Sequence, residues 1–322
     1  MDIEEARLAV SICRAVAERS WEKRLRDLGA HSAAELRFTR ENRRYPDPAV
    51  RKALQWLGER LEFTRGCVVR AHGRSVIAFQ GTAPIGDAFS RRPVKSVEEF
   101  VRQVEAFSGW SHNYLYAYRP DILEALAEYG FAFPGLVHPG ITAILVRHEW
   151  GQIEGAALAA EHDGGLILTG HSQGGVLATL SAYRLAQRGI PVRAVYTFGS
   201  PRPGDDTFRD RYDQEVEHYR FESVADIVPL LLPPPFALRD IAVWLYDLLL
   251  ERNRYQPAID YRHVGRLVLT GGGGEFVPEF PGLGARRVQA LLEMLEDREG
   301  RKALQYGHGI DEYERIVARL VV

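Results

Sequence analysis

The chain has 322 residues, 46% hydrophobic and 26% charged, enough for one large α/β domain or two small ones. Its 41 basic and 43 acidic residues leave a formal charge of −2, and the basic ones are scattered, which argues against a nucleic-acid partner. No stretch reaches the roughly 18 apolar residues of a membrane span, and the cysteines, Cys13 and Cys67, read as buried free thiols, with a single disulfide as the alternative.

The first ten residues are acidic where a secretory signal would be basic, so a cytoplasmic location is expected. A chain that has lost its leader would read the same way, which keeps secretion open. Residues 1–64 are expected to form a helical extension of three helices. Ile3, Leu8, Ile12 and Val16 keep helical spacing and Gly29 stops the run; Ser32-x-x-Glu35 matches a capping box, and Asp47-Pro48 supplies an N-cap and first-turn proline.

From Cys67 the pattern changes to short apolar runs over 67–71, 74–80, 165–169, 193–198, 217–222 and 264–269. Helical patterns separate them, notably over 140–161 and 174–188. The alternation predicts an α/β fold whose central sheet is mostly parallel and covered by helices on both faces. Gly271 to Gly274 has no phosphate-loop lysine after it and is read as a loop.

Two segments, 83–112 and 233–257, read as movable caps over a site. The first opens its helix at Ser96 and Glu99 and lines Val97, Phe100, Val101, Val104 and Phe107 along one face; the second follows Pro233-Pro234-Pro235 with Leu238, Ile241, Leu245, Leu248 and Leu249. For each the alternative is an amphipathic helix packed on the core.

The most informative stretch is Gly170-His171-Ser172-Gln173-Gly174-Gly175, entered from Leu166-Ile167-Leu168-Thr169 and followed by a small-residue helix pattern. A serine between glycines at a strand-to-helix turn matches G-x-S-x-G, which presents a hydroxyl nucleophile beside the positive end of a helix. A serine hydroxyl attacks only when a base removes its proton, and an α/β chain of this type supplies the carboxylate and then the histidine after the serine. Asp226, in Glu222-Ser223-Val224-Ala225-Asp226-Ile227-Val228-Pro229, leaves a strand pattern for a proline-marked loop and is the expected carboxylate, ahead of Glu222, Asp205 and Asp206. Of the three later histidines, His218 and His263 belong to strand patterns. His308, between Gly307 and Gly309, is the expected base. The Gln173 N–H is one expected oxyanion donor, and Thr82, in Phe79-Gln80-Gly81-Thr82, the other.

Taken together these residues resemble the class 3 lipases, the fungal-lipase-like branch of the α/β-hydrolases. Phe79-Gln80-Gly81-Thr82 is similar to the family's F-R-G-T, Val137-His138-Pro139-Gly140 to V-H-x-G-F, and Gly170 to Gly175 to G-H-S-x-G-G. Thr197-Phe198-Gly199-Ser200-Pro201-Arg202-Pro203-Gly204-Asp205 is similar to T-F-G-x-P-R-V-G-D, Asp226 to Pro229 to D-I-V-P, and His308 with Tyr313 to H-x-x-x-x-Y. Gln80 and Ile141 depart from the family's arginine and phenylalanine. The resemblance implies an α/β-hydrolase catalytic domain over 65–322, a Ser172, Asp226, His308 triad, a Thr82 oxyanion donor and a lid soon after it. It also implies hydrolysis of acylglycerol esters with transient contact at a lipid interface, and no metal or organic cofactor. A phospholipase A1 or acyltransferase on the same residues, and a lipase-like interaction module without turnover, are the alternatives.

Overall fold

A computed structural model describes residues 1–18, 20–36, 66–81, 120–128, 130–147, 150–159, 165–230, 261–270, 276–277 and 283–320. Thr82, Asp47-Pro48, the loop 271–274 and both cap segments, 83–112 and 233–257, lie outside the described residues.

Among the described residues eight strands form one sheet in chain order: β1 (Ala30–Leu36), β2 (Gly66–Ala71), β3 (Arg74–Phe79), β4 (Leu166–His171), β5 (Val192–Phe198), β6 (His218–Ser223), β7 (Arg266–Thr270) and β8 (Phe276–Val277). Strands β3 to β7 run parallel, and β1, β2 and β8 are antiparallel additions at the edges. His72 and Gly73 join β2 to β3 with φ of 51° and 69°, the two left-handed residues that a tight two-residue hairpin needs. β4 and β5 are largely apolar because both of their faces are covered, while β6 is buried throughout with His218, Arg220 and Glu222 alternating with Tyr219 and Phe221.

One face packs on α4 (Pro139–Arg147), α5 (Trp150–Ala159), α6 (Gln173–Gln187) and α7 (Asp206–Glu215), with Leu168, Val176, Leu180, Phe208 and Tyr212 in its core. The helices α1 (Ile3–Ala17) and α10 (Ile310–Ala318) cover the other, burying Val10, Ile12, Cys13, Val16, Ile316 and Val317 against Val76, Ile167 and Tyr196. The short helices α2 (Trp21–Asp27), α3 (Pro120–Glu128), α8 (Leu283–Met294) and α9 (Arg298–Gly307) complete the described set. Burial pushes the Cys13 thiol up to about 12, and Cys13 and Cys67 are not joined in a disulfide.

Asp2 caps α1, accepting from the backbone N–H groups of Glu4 and Glu5 at 3.0 and 3.1 Å. Glu5 is buried at the sheet, paired with Arg74 at 3.0 Å and Arg193 at 2.5 Å and accepting from the Tyr196 hydroxyl at 3.2 Å. Arg14 bridges to Glu314 and, at 2.8 Å, to Asp311 on α10. A partly exposed pair of this kind is worth about 0–1 kcal/mol, whereas burying each of Val10, Ile12 and Val16 contributes about 1.5–3 kcal/mol. Apolar burial therefore holds α1 in place, and the charges set its direction.

Two readings of the sequence need correction. Ser32-x-x-Glu35 does not open a helix: residues 30–36 form β1, paired antiparallel with β2 from Ala30↔Ala71 to Leu36↔Gly66. Gly29, in the left-handed region at φ 76°, turns the chain out of α2, and the free edge of β2 then supplies hydrogen bonds that override the local capping signal. The pattern over 140–161 is two helices, α4 and α5.

Several buried histidines are held neutral. His138 accepts from the Ile141 N–H at 3.3 Å at the start of α4, and His218 meets the Thr197 hydroxyl at 2.8 Å. Burial pushes both down to about 3, below the roughly 6.5 of an unfolded histidine. The unfolded chain thus binds protons that the folded one does not, so stability present above about pH 6.5 is lost as pH falls toward 3. The urea midpoint should drop between about pH 7 and pH 4, and His138→Asn, which does not titrate there, should flatten that dependence. An identical slope in the variant would contradict the assignment.

Candidate active site

The parallel register brings the carboxyl ends of four strands to one edge. Phe79 of β3 lies beside Gly170, His171 beside Phe198 of β5, and Phe198 beside Phe221 of β6. The residues leaving these strands, Gln80-Gly81, Ser172, Gly199 and the Val224 to Asp226 turn, therefore face one another, as expected for a ligand crevice in an open α/β sheet.

Ser172 sits between β4 and α6 with φ 55° and ψ −128° and is almost fully buried. Its backbone N–H donates to the Phe198 carbonyl at 2.9 Å, and its own carbonyl accepts from Gly175 at 2.9 Å. The turn closes so tightly that a Cβ at Gly170 would lie 2.0 Å from the Gly174 carbonyl oxygen, and one at Gly174 would lie 2.3 Å from that of Phe79. Only glycine fits at either position. The Gln173 N–H opens α6, where the helix dipole is positive.

His308 follows α9 and precedes α10, whose N-cap is Gly309. Its Nε2 stands 3.0 Å from Ser172 Oγ and its Nδ1 2.8 Å from Asp226 Oδ2. A carboxylate can only accept, so Nδ1 carries the proton and Nε2 is left to accept from the serine hydroxyl. The His308 side chain is 25% exposed while Asp226 is fully buried, so the chain of hydrogen bonds runs from the surface inward.

Asp226 is oriented from three sides. Oδ1 accepts from the Val228 N–H at 2.8 Å; Oδ2, besides His308, accepts from the Tyr313 hydroxyl at 2.6 Å. Burial, with Asp226 alongside, raises Tyr313 well above the usual phenol range, so its hydroxyl remains a donor. Gly199, at φ 57°, passes so close that a Cβ there would lie 2.5 Å from Asp226 Oδ2.

The sequence rivals are engaged elsewhere. Glu222 is buried between Arg220, at 2.6 Å, and Arg287. Burial pushes its carboxyl up, but the two guanidiniums outweigh that and hold it below the usual range. Asp205 caps α7 and accepts from the Phe208 and Leu136 N–H groups, each at 2.9 Å. Asp206 pairs with Arg209 and Arg262. His263 donates to the Pro229 carbonyl at 2.7 Å, and burial pushes it well below the usual range.

Three residues hold the site through contacts that the sequence does not spell out. The H-x-x-x-x-Y spacing marks Tyr313 but carries no sign of its bond to Asp226. Arg287 on α8 donates to the Ser223 and Asp226 carbonyls at 3.2 and 3.4 Å, behind the acid turn, and no local pattern marked it. His171 donates to the His308 carbonyl at 2.6 Å; its place in the glycine-framed motif was the available signal.

Comparison with known proteins adds to this geometry. A secreted mono- and diacylglycerol lipase of Fusarium solani is 42% identical over 74 residues, 23% of this chain and 22% of the relative. A chloroplastic phospholipase A1-Igamma2 of Arabidopsis thaliana is 33% identical over 162 residues, 44% of this chain and 28% of the relative. The matched stretches thus span between a fifth and a third of these relatives' own lengths. The solved lipase of Rhizopus microsporus var. chinensis is 19% identical, with a TM-score of 0.43 over 83% of this chain and 74% of that one. The family description "Lipase (class 3)" matches residues 76–236, half of the 322 residues, and that stretch runs from β3 through the serine turn to the Asp226 loop. The chain belongs to the class 3 lipase family.

Proposed function

We propose that the chain is a serine carboxylic ester hydrolase acting on acylglycerols. The observation that carries this is the continuous hydrogen-bonded chain from Ser172 Oγ through His308 to Asp226 at the edge of the sheet. Ser172 Oγ attacks the ester carbonyl carbon as its proton passes to His308 Nε2. The tetrahedral oxyanion is held by the Gln173 N–H and, on the resemblance, by Thr82. Collapse breaks the acyl–alkoxy bond; the alcohol leaves with the His308 proton and an acyl ester remains on Ser172. Water then attacks that ester, His308 takes its proton and returns one to Ser172 Oγ, and the fatty acid departs. Asp226 keeps the Nδ1–H tautomer in place and stabilises the imidazolium.

The relative named phospholipase A1 favours a second reading, in which the same residues cleave an acyl ester of a phospholipid. The compartment stays with the relatives' names, secreted in one case and chloroplastic in another, which do not support the cytoplasmic expectation. No helix among the described residues is long and apolar enough to cross a membrane.

Ser172→Ala should lower kcat on a p-nitrophenyl ester by about a million-fold and abolish fluorophosphonate labelling without unfolding the protein. Labelling that survives the substitution overturns the nucleophile.

His308→Ala should approach that loss, whereas His263→Ala should keep kcat within about tenfold of the parent. The reverse ranking would reassign the base.

Product analysis on emulsified mono-, di- and triacylglycerols beside phosphatidylcholine separates the two substrate readings. Free fatty acid from acylglycerols alone supports the first, lysophospholipid the second, and an acylated alcohol acceptor would make the protein a transferase.

A further inference from the structure

The side chain of His171 has no part in the reaction above, yet it reaches the base. It stands one residue before Ser172, at the end of β4, and its Nε2 lies 2.6 Å from the backbone carbonyl oxygen of His308. A carbonyl can only accept, so this nitrogen carries a proton and the other ring nitrogen does not. The two imidazole rings lie 4.6 Å apart at 34°, and the Tyr313 ring stands 6.0 Å from that of His171.

The contact matters because of where His308 is attached. It occupies a short connection between α9 and α10 with glycine on either side; its own N–H and that of Gly309, at 2.8 Å, both donate to the Tyr306 carbonyl, and its carbonyl is held by His171. Asp226 orients the ring through Nδ1, the Tyr306 carbonyl ties the amide side of the residue to α9, and the His171 bond ties its carbonyl to the end of β4.

We propose that His171 is a positioning residue for His308. By tying the main chain of the base to the residue before the nucleophile, it sets the Ser172 to His308 separation at the sheet edge. The proposal rests on the reading of Ser172 and His308 as nucleophile and base. Burial and the neighbouring His308 push His171 down to about 3, against the opposing pull of Asp226, so it stays a neutral donor through the working pH range. When His308 takes up the serine proton, the ring beside it is therefore uncharged. A second cation at that distance would oppose the imidazolium.

The test compares His171→Phe, which keeps a ring and removes the donor, with His171→Gln, whose amide nitrogen reaches about as far as Nε2. The full-length protein is assayed for kcat and KM on a dissolved p-nitrophenyl ester, fluorophosphonate labelling rate and Tm. Because a displacement of about 1 Å can cost on the order of 100-fold, His171→Phe should lower kcat and labelling rate together by roughly 10- to 100-fold with KM unchanged. His171→Gln should recover most of both at a similar Tm. Should the Phe variant not fold, His171→Asn, one methylene too short, takes its place against His171→Gln. A donor-less variant with parental kcat and labelling rate overturns the proposal, as does a Gln variant no better than it at equal Tm. The downfield Nδ1–H proton of His308 in ¹H NMR, sharp in the parent and broadened by His171→Phe, reads the same tether without turnover. A parent that neither turns over ester nor labels at Ser172 refutes the hydrolase reading instead, and the NMR comparison still decides the tether.

Discussion

The left-handed backbone of Ser172 is the constraint around which the rest of the site is arranged. A non-glycine residue held there costs on the order of 1–3 kcal/mol and persists only where its surroundings over-determine it. Here they do: β4 before it is buried on both faces, α6 after it is buried along nearly its whole length, and the Ser172 N–H continues the ladder to Phe198. The glycines of the motif follow from the same turn, since the helix start passes within van der Waals contact of the end of β3. Fixing the turn fixes two things at once, the direction of the hydroxyl and the position of the first donors of α6.

The acid loop is secured differently, through its main chain. Arg287, buried at the side of Glu222, donates to two carbonyls of the 223–226 turn, and Tyr313 accepts from the Ser223 N–H at 3.3 Å while donating to Asp226. Removing one partner of a buried, hydrogen-bonded ion pair typically costs about 3–5 kcal/mol, because the remaining charge is left without compensation. The Glu222 and Arg287 pair therefore belongs to the architecture of the loop even though neither side chain meets the serine.

The two ends of the chain share one face of the sheet, and this gives the first helix a bearing on the site. α1 packs along α10, with Arg14 bridging to Asp311 and Glu314 and Arg7 donating to the Leu320 carbonyl at 2.7 Å. α10 in turn carries Tyr313 and begins two residues after His308. Residues that lie before the family match thus support the segment that carries the histidine.

What the sequence by itself determined follows from local rules. Short apolar runs, most of them bounded by glycine or proline, located β2 to β5 and β7 to within a residue or two, because a strand covered on both faces is mostly apolar; β6, with His218, Arg220 and Glu222 along it, shows the alternation of a strand instead. The glycines around Ser172 encoded a turn that admits no side chain; chain order narrowed the search for its partners to residues after 172, and the proline-marked loop and the glycine-flanked position pointed to Asp226 and His308. What tertiary structure decided depended on partners distant in the chain. Residues 30–36 became a strand because the edge of β2 lay open beside them. His171, Tyr313 and Arg287 acquired their contacts only when β4, α10 and α8 converged on one sheet edge. A hydrogen bond between residues 61 to 137 positions apart leaves no periodicity to read; it exists only once burial has brought its elements together.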